Sequence, residues 1–276
     1  MTWWCAASTD PWSWSPRPYP GIWLFMVGVL AGYLWACHDR PDHRKRWFFV
    51  AGWALLWAST DWPLGTLGAG YLASAHMAQY LLYTMAAAPL LMLGLPEAAL
   101  RRGLSRLRAY RLVSLLARPL VAGVLFNVVL IVTHAPVTVD ALRTNQAGSF
   151  ALDLAWLLSA LVLWLPVCGP LDELKPSYPA RCVYLFLAAG LVPMVPGGFL
   201  TFAGTPLYAV YELAPRVGGF DALDDQQAAG VIMKVGNLPL LWPVLAGLFV
   251  RWANQERVGD IPVSARGTTA AKSARK

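Results

Sequence analysis

The sequence predicts an all-α membrane protein, a bundle of seven transmembrane helices with its N-terminus outside and its C-terminus in the cytoplasm. Three observations carry this expectation. Hydrophobic residues make up 57% of the chain and charged residues only 13%, too few charges to clothe a soluble globule. Seven apolar runs recur, each near the roughly 20 residues that a helix needs to cross a bilayer. Lys and Arg gather in alternate loops, the pattern that orients such helices.

The elements follow in order. Residues 1–19 alternate Trp3, Trp4, Trp12 and Trp14 with Pro11, Pro16 and Pro18, a composition suited to an external, non-helical segment at the membrane interface. The basic n-region of a cleavable signal is lacking, and Arg40, Arg44, Lys45 and Arg46 come after the first apolar run, 20–37, which is therefore expected to remain as an N-out span. The run 47–62 is the shortest, with Trp47, Trp57 and Trp62 as interfacial anchors. Runs at 71–94, 119–134, 150–168, 182–203 and 229–250 complete a membrane domain spanning 20–250. Within the sixth run Pro193, Pro196, Gly197 and Gly198 are expected to kink or unwind the helix so that backbone carbonyls line a cavity. Residues 251–276 form a basic cytoplasmic tail, rich in Ala, Ser and Thr, expected to be disordered and to lie near anionic lipid.

Orientation comes from counting. Of 22 Lys and Arg, 18 fall in the loops after the first, third and fifth runs and in the tail; the other side holds only Arg17, Arg143 and Arg216, and Lys234 lies within the seventh run. An even number of spans would place one basic group on the wrong side. The net charge of +7 is thus a topology signal, interleaved with apolar stretches, and not a nucleic-acid stripe. Cys5, Cys37, Cys168 and Cys182 show no metal or disulfide spacing.

Ionisable groups inside a membrane are costly and face the bundle interior, and here they lie in the outer half. His76, Gln79 and Tyr80 share one face of the third helix; Asp225, Gln226, Met233 and Lys234 mark the seventh; His134 closes the fourth and Asp153 begins the fifth. Imidazole and thioether suit copper, which makes His76, His134, Met77 and Met233 the candidate metal ligands, with Met194 at similar depth. The blander reading has the methionines as core filler and the histidines as hydrogen-bonding residues near helix ends. Lys234 is expected to pair with Asp153 or Asp225, and Asn127 to bond across helices. No nucleophile with a matched base and no nucleotide fingerprint occurs, which speaks against an enzyme.

The stretch His76-Met-Ala-Gln-Tyr80, followed by Ala88-Pro-Leu-Leu-Met-Leu-Gly-Leu-Pro96, resembles the CtaG family of bacterial cytochrome c oxidase assembly factors. Further matching stretches are Thr133-His-Ala-Pro136, Trp164-Leu-Pro-Val167, Pro206-Leu-Tyr-Ala-Val-Tyr211 and the run from Asp225 to Met233. The resemblance implies a multi-pass protein of the bacterial plasma membrane whose partners are haem–copper oxidase subunits, and which handles copper at the outer face. The chain departs from the family pattern at Tyr80 and Asp153, where the family has His, and at Lys234, where Trp is usual. The competing expectations are a transporter or copper-resistance permease and a permanent accessory subunit of a respiratory complex.

Overall fold

Helix ends fall where local chemistry stops or starts the backbone ladder, as a computed structural model of residues 2–38 and 42–259 shows. Proline in the first turn, where no backbone donor is needed, opens α1 (Pro20–Ala36), α7 (Pro119–His134) and α8 (Pro136–Arg143). Side-chain caps open two others: Asp42 accepts from Lys45 N at 3.1 Å to start α2 (His43–Thr60), and Asn145 accepts from Gly148 N at 2.7 Å to start α9 (Gln146–Cys168). Between these lie α3 (Leu64–Gly70), α4 (Ala73–Gly94), α5 (Glu97–Leu107) and α6 (Tyr110–Leu116). The chain continues through α10 (Tyr178–Phe202), α11 (Ala209–Glu212), α12 (Ala222–Val235) and α13 (Leu238–Gly259). No strand occurs among the described residues.

Each of the seven apolar runs becomes helical, but they do not all meet the demands of a full crossing. Four stretches are long and apolar enough by themselves: Ala73–Gly94, Gln146–Cys168, Tyr178–Phe202 and Ala222–Arg257. A fifth is added if α6 and α7, bent by 77° at their junction, count as one broken span. Helix α1 is apolar but has only 17 residues, and α2 opens on the polar His43-Arg-Lys-Arg46. These four or five apolar helices mark a membrane protein. The expected tail lies outside the described residues from 260 onward, as does Arg40 in the first basic loop.

Helix α4 is central. In its most apolar stretch 72% of residues are buried, against 22% for the α12–α13 stretch, because α2, α3, α9 and α12 all pack on it. Helix α12 packs closely against the second half of α10: a Cβ on Gly230 would stand 2.6 Å from Thr201 N and 2.7 Å from Gly197 O, so only glycine permits this approach.

Two π-helical turns, Leu82–Ala87 in α4 and Phe186–Leu191 in α10, precede Pro89 and Pro193. In a π turn the N–H reaches back five residues, and proline has none to give. Ala88 N bonds Tyr83 O and Val192 N bonds Leu187 O, so the next carbonyls, Thr84 O and Ala188 O, are left open. Neighbouring helices close them: Trp164 Nε1 donates to Thr84 O at 2.7 Å and Asn127 Nδ2 to Ala188 O at 3.0 Å, while Asn237 Nδ2 takes Ala189 O. This is how an apolar medium tolerates proline in a helix. The expected unwinding at Pro193–Gly198 is therefore corrected. Met194–Phe202 is helical, and the irregularity sits upstream because a proline removes the partner of a carbonyl that precedes it.

Residues 2–19 are non-helical, as composition predicts, yet they do more than lie at an interface. Trp4 and Cys5 are buried beneath the strap that this segment makes, Ala7 N bonds Arg143 O at 2.8 Å, and Tyr71 OH bonds Asp10 O at 2.9 Å.

Candidate functional site

The start of α4 is fixed from a distance. Leu72, the residue just before it, offers no side-chain cap, and the Asp225 carboxylate of α12 supplies one, accepting from Ala73 N at 2.6 Å, Ser74 N at 3.3 Å and the Ser74 hydroxyl. A carboxylate at a helix N-terminus is favoured by both the open N–H groups and the helix dipole. His76 follows one turn later. Gly68 of α3 lets the two backbones touch there: a Cβ at 68 would meet His76 N and Cα at 3.1 Å and Gln79 Oε1 at 2.9 Å.

His76 and His134 face each other. Both are buried, their ring centroids are 5.6 Å apart, and the rings are perpendicular at 89°. Trp156 of α9 forms the common wall, 4.8 Å from His76 and stacked at 5.7 Å on His134. Tyr80 adds a second wall, 4.6 Å from His134.

Hydrogen bonds assign the tautomers. Tyr211 OH lies 2.6 Å from Gly68 O, a pure acceptor, so its one proton goes there, and its oxygen then accepts from His76 Nδ1–H at 2.7 Å. His134 Nδ1 faces Leu130 O at 2.8 Å and must likewise carry the proton. Each neutral ring is thus left with a bare Nε2 lone pair, and both Nε2 atoms are buried without a protein partner. Such a pair is an open donor set for a soft cation. Tyr80 OH and both amide atoms of Gln79 are also buried without partners.

Next to the imidazoles stands a buried ion pair that the charge count does not reveal. Arg143, read from sequence as an external loop charge, is fully buried; its Nη2 donates to Asp153 Oδ1 at 3.0 Å and its guanidinium lies 5.1 Å from the Trp156 ring. The other Asp153 oxygen accepts from Trp4 Nε1 at 2.8 Å. The expected pairing of Lys234 with Asp153 or Asp225 is therefore corrected. Asp153 is taken by Arg143 ten residues away on the preceding helix, Asp225 by the start of α4, and Lys234 is half-buried with Nζ 4.9 Å from the Phe202 ring.

Met77 and Met233 are buried in the main core, and Met77, one residue after His76, points about 100° around the helix from it. Met194 is 41% exposed on α10 and does not join the cluster. Gln226 pins the 203–208 loop, accepting from Leu207 N at 2.6 Å and donating to Thr205 O at 3.2 Å. Among the described residues no three His, Cys, Asp or Glu side chains converge as a metal site.

Three contributors escape a reading of the sequence by depth and charge: Trp156, Arg143 and Tyr211. Trp156 lies three residues after Asp153, so helical spacing puts both on one face. Tyr211 is positioned by α11, whose first N–H groups at Ala209 and Val210 are taken by Asp140 at 3.2 and 2.9 Å. No local pattern ties it to His76.

A family model described as cytochrome c oxidase caa3 assembly factor matches residues 23–255. No curated protein and no solved structure matches the chain.

Proposed function

The chain belongs to the cytochrome c oxidase caa3 assembly factor family, and from that premise we propose that it binds nascent oxidase subunits in the bacterial plasma membrane and presents copper to them as cargo, without itself catalysing a reaction. The observation that carries the copper part is the pair of buried, unpartnered Nε2 atoms on His76 and His134. A centroid separation of 5.6 Å is on the scale of two metal–nitrogen bonds of about 2 Å each plus the two ring radii. Two imidazoles with aromatic walls and an adjacent guanidinium favour a soft ion of low charge over a hydrated divalent one. Met77 and Met233 then act as core, and Tyr80, in place of a family histidine, closes the wall beside His134.

In this reading the chain crosses the membrane seven times, N-terminus outside, with α1, α2 and the bent α6–α7 pair included as spans. The distribution of Lys and Arg supports it, and it sets the histidines at the outer face.

The test separates copper handling from partner contact. In cells, His76→Ala and His134→Ala are expected to leave the level of this protein unchanged while lowering oxidase copper and activity. The purified wild-type chain should hold one copper ion and the double variant none. Normal oxidase copper in the double variant, at normal protein level, would show that assembly rests on contact alone.

A further inference from the structure

At the end of the bundle opposite the histidines, a cavity of about 590 Å³ opens between the ends of α4 and α9, the loop 169–177, α10 and α13. Its inner wall is apolar, with Pro89, Leu93, Trp164 and Leu248, and its mouth carries Lys175, Arg181 and Arg251. The protein holds two of these cations in place. Lys175 Nζ is 2.6 Å from Asp172, and Arg181 Nε donates to Pro176 O at 2.7 Å while its guanidinium lies 4.6 Å from the Tyr178 ring. The hydrogen bond from Lys175 also holds the Asp172 carboxyl below the usual range, so it is ionised and offsets one charge of three. Two positive charges remain beside a cavity lined about half by hydrocarbon.

We propose that this cavity binds an anionic phospholipid, its phosphate at Arg181 and Arg251 and the start of an acyl chain along the inner wall. The two halves of the lining demand the two halves of such a molecule. A free phosphate leaves the apolar wall in water, and a zwitterionic lipid leaves the excess charge at the mouth unneutralised. Basic recesses between membrane helices hold lipid head groups in this manner, and the volume falls in the range of small-molecule sites. The site is independent of the copper reading.

Thermal unfolding and native mass spectrometry of the full chain, purified in mild detergent and delipidated, test the proposal. Phosphatidylglycerol is expected to raise the unfolding temperature and to give a one-to-one adduct. Phosphatidylcholine with the same acyl chains should do neither, and inorganic phosphate should leave the temperature unmoved. R181Q/R251Q is expected to bind phosphatidylglycerol roughly tenfold or more weakly, whereas R44Q/R46Q, at the basic start of α2, should bind as wild type does. Should R181Q/R251Q fail to fold, L93W, which fills the chamber and keeps the cations, is expected to weaken phosphatidylglycerol equally. An equal response to phosphatidylcholine, reproduction of the shift by phosphate alone, or undiminished binding by R181Q/R251Q or by L93W overturns the proposal.

Discussion

Single atoms decide whether the two histidines present lone pairs or protons. Tyr211 sets the His76 tautomer by giving its own proton to Gly68 O. Tyr211→Phe removes that acceptor and leaves the volume nearly unchanged. Outer partners of this kind tune metal affinity by about 10- to 100-fold, so the variant is expected to fold, to lose copper affinity by that order in a competition titration, and to unfold at a somewhat lower temperature because Gly68 O and His76 Nδ1–H lose their partner. Unaltered affinity would show that the Tyr211 contact does not prepare the ring. The Arg143–Asp153 pair makes a sharper energetic test, since both groups are buried. Removing one partner strands the other's charge, at a cost of about 3–5 kcal/mol, whereas replacing both with apolar residues of similar size is far milder. R143M and D153L should therefore each destabilise strongly, and R143M/D153L less than either. Additive losses in a double-mutant cycle would refute a coupled pair. That His76 and His134 belong to the polar cluster was legible in their types and depths. Which nitrogen of each ring carries the proton was not, because it depends on the Tyr211 hydroxyl and the Leu130 carbonyl.

Among the elements, α4 and α10 share one device: a π turn before a proline, with the opened carbonyl closed from a neighbouring helix. Asn127→Leu removes the donor to Ala188 O and leaves a buried carbonyl unsatisfied, which costs about 1–3 kcal/mol. Trp164→Phe does the same at Thr84 O while largely keeping the ring's packing. Both variants should lower the unfolding temperature in detergent, and an Asn127→Leu protein as stable as wild type would show that the carbonyl finds another donor. The N-terminal strap is tied down chiefly through Trp4. Trp4→Phe deletes the bond to Asp153 and keeps an aromatic ring, so Cys5, 1% exposed in the native fold, should react faster with maleimide. An unchanged rate would mean that the strap is held by its other contacts. Pro193 and Pro196 announced an irregular sixth run in the sequence, whereas the π turn before Pro89 was not expected, and the side chains that repair the two helices come from 61 and 80 residues away.

For the whole molecule the question is how many of the apolar helices cross. The seven-span reading places the loop with Arg101, Arg102 and Arg106 inside and the loop with Asp221 and Asp224 outside. Single cysteines introduced near Arg106 and near Asp221, in a background with native cysteines replaced, distinguish the arrangements in intact spheroplasts. Labelling from outside is expected near Asp221 and not near Arg106, and the reverse result would invert the topology. Cysteines near Arg17 and near Arg44 extend the test to α1, which is expected to separate a labelled Arg17 from a protected Arg44. Protection of both would remove α1 as a span.

Membrane class, helical composition and family membership were all readable from the chain alone. They rest on quantities that need no neighbours: the length of an apolar run against bilayer thickness and motifs continuous along one helix. The polar cluster was legible to the same degree, since helical spacing places His76, Gln79 and Tyr80 on one buried face. Tertiary structure alone decided the partners. Arg143 rather than Lys234 neutralises Asp153, Trp4 from the far end of the chain completes that pair, Asp225 caps a helix about 150 residues earlier, and Asn127 and Trp164 close carbonyls on other helices. The physical reason is that burial away from water requires every charge and carbonyl to be satisfied, while the donor that satisfies it is whichever side chain the packed helices bring within about 3 Å.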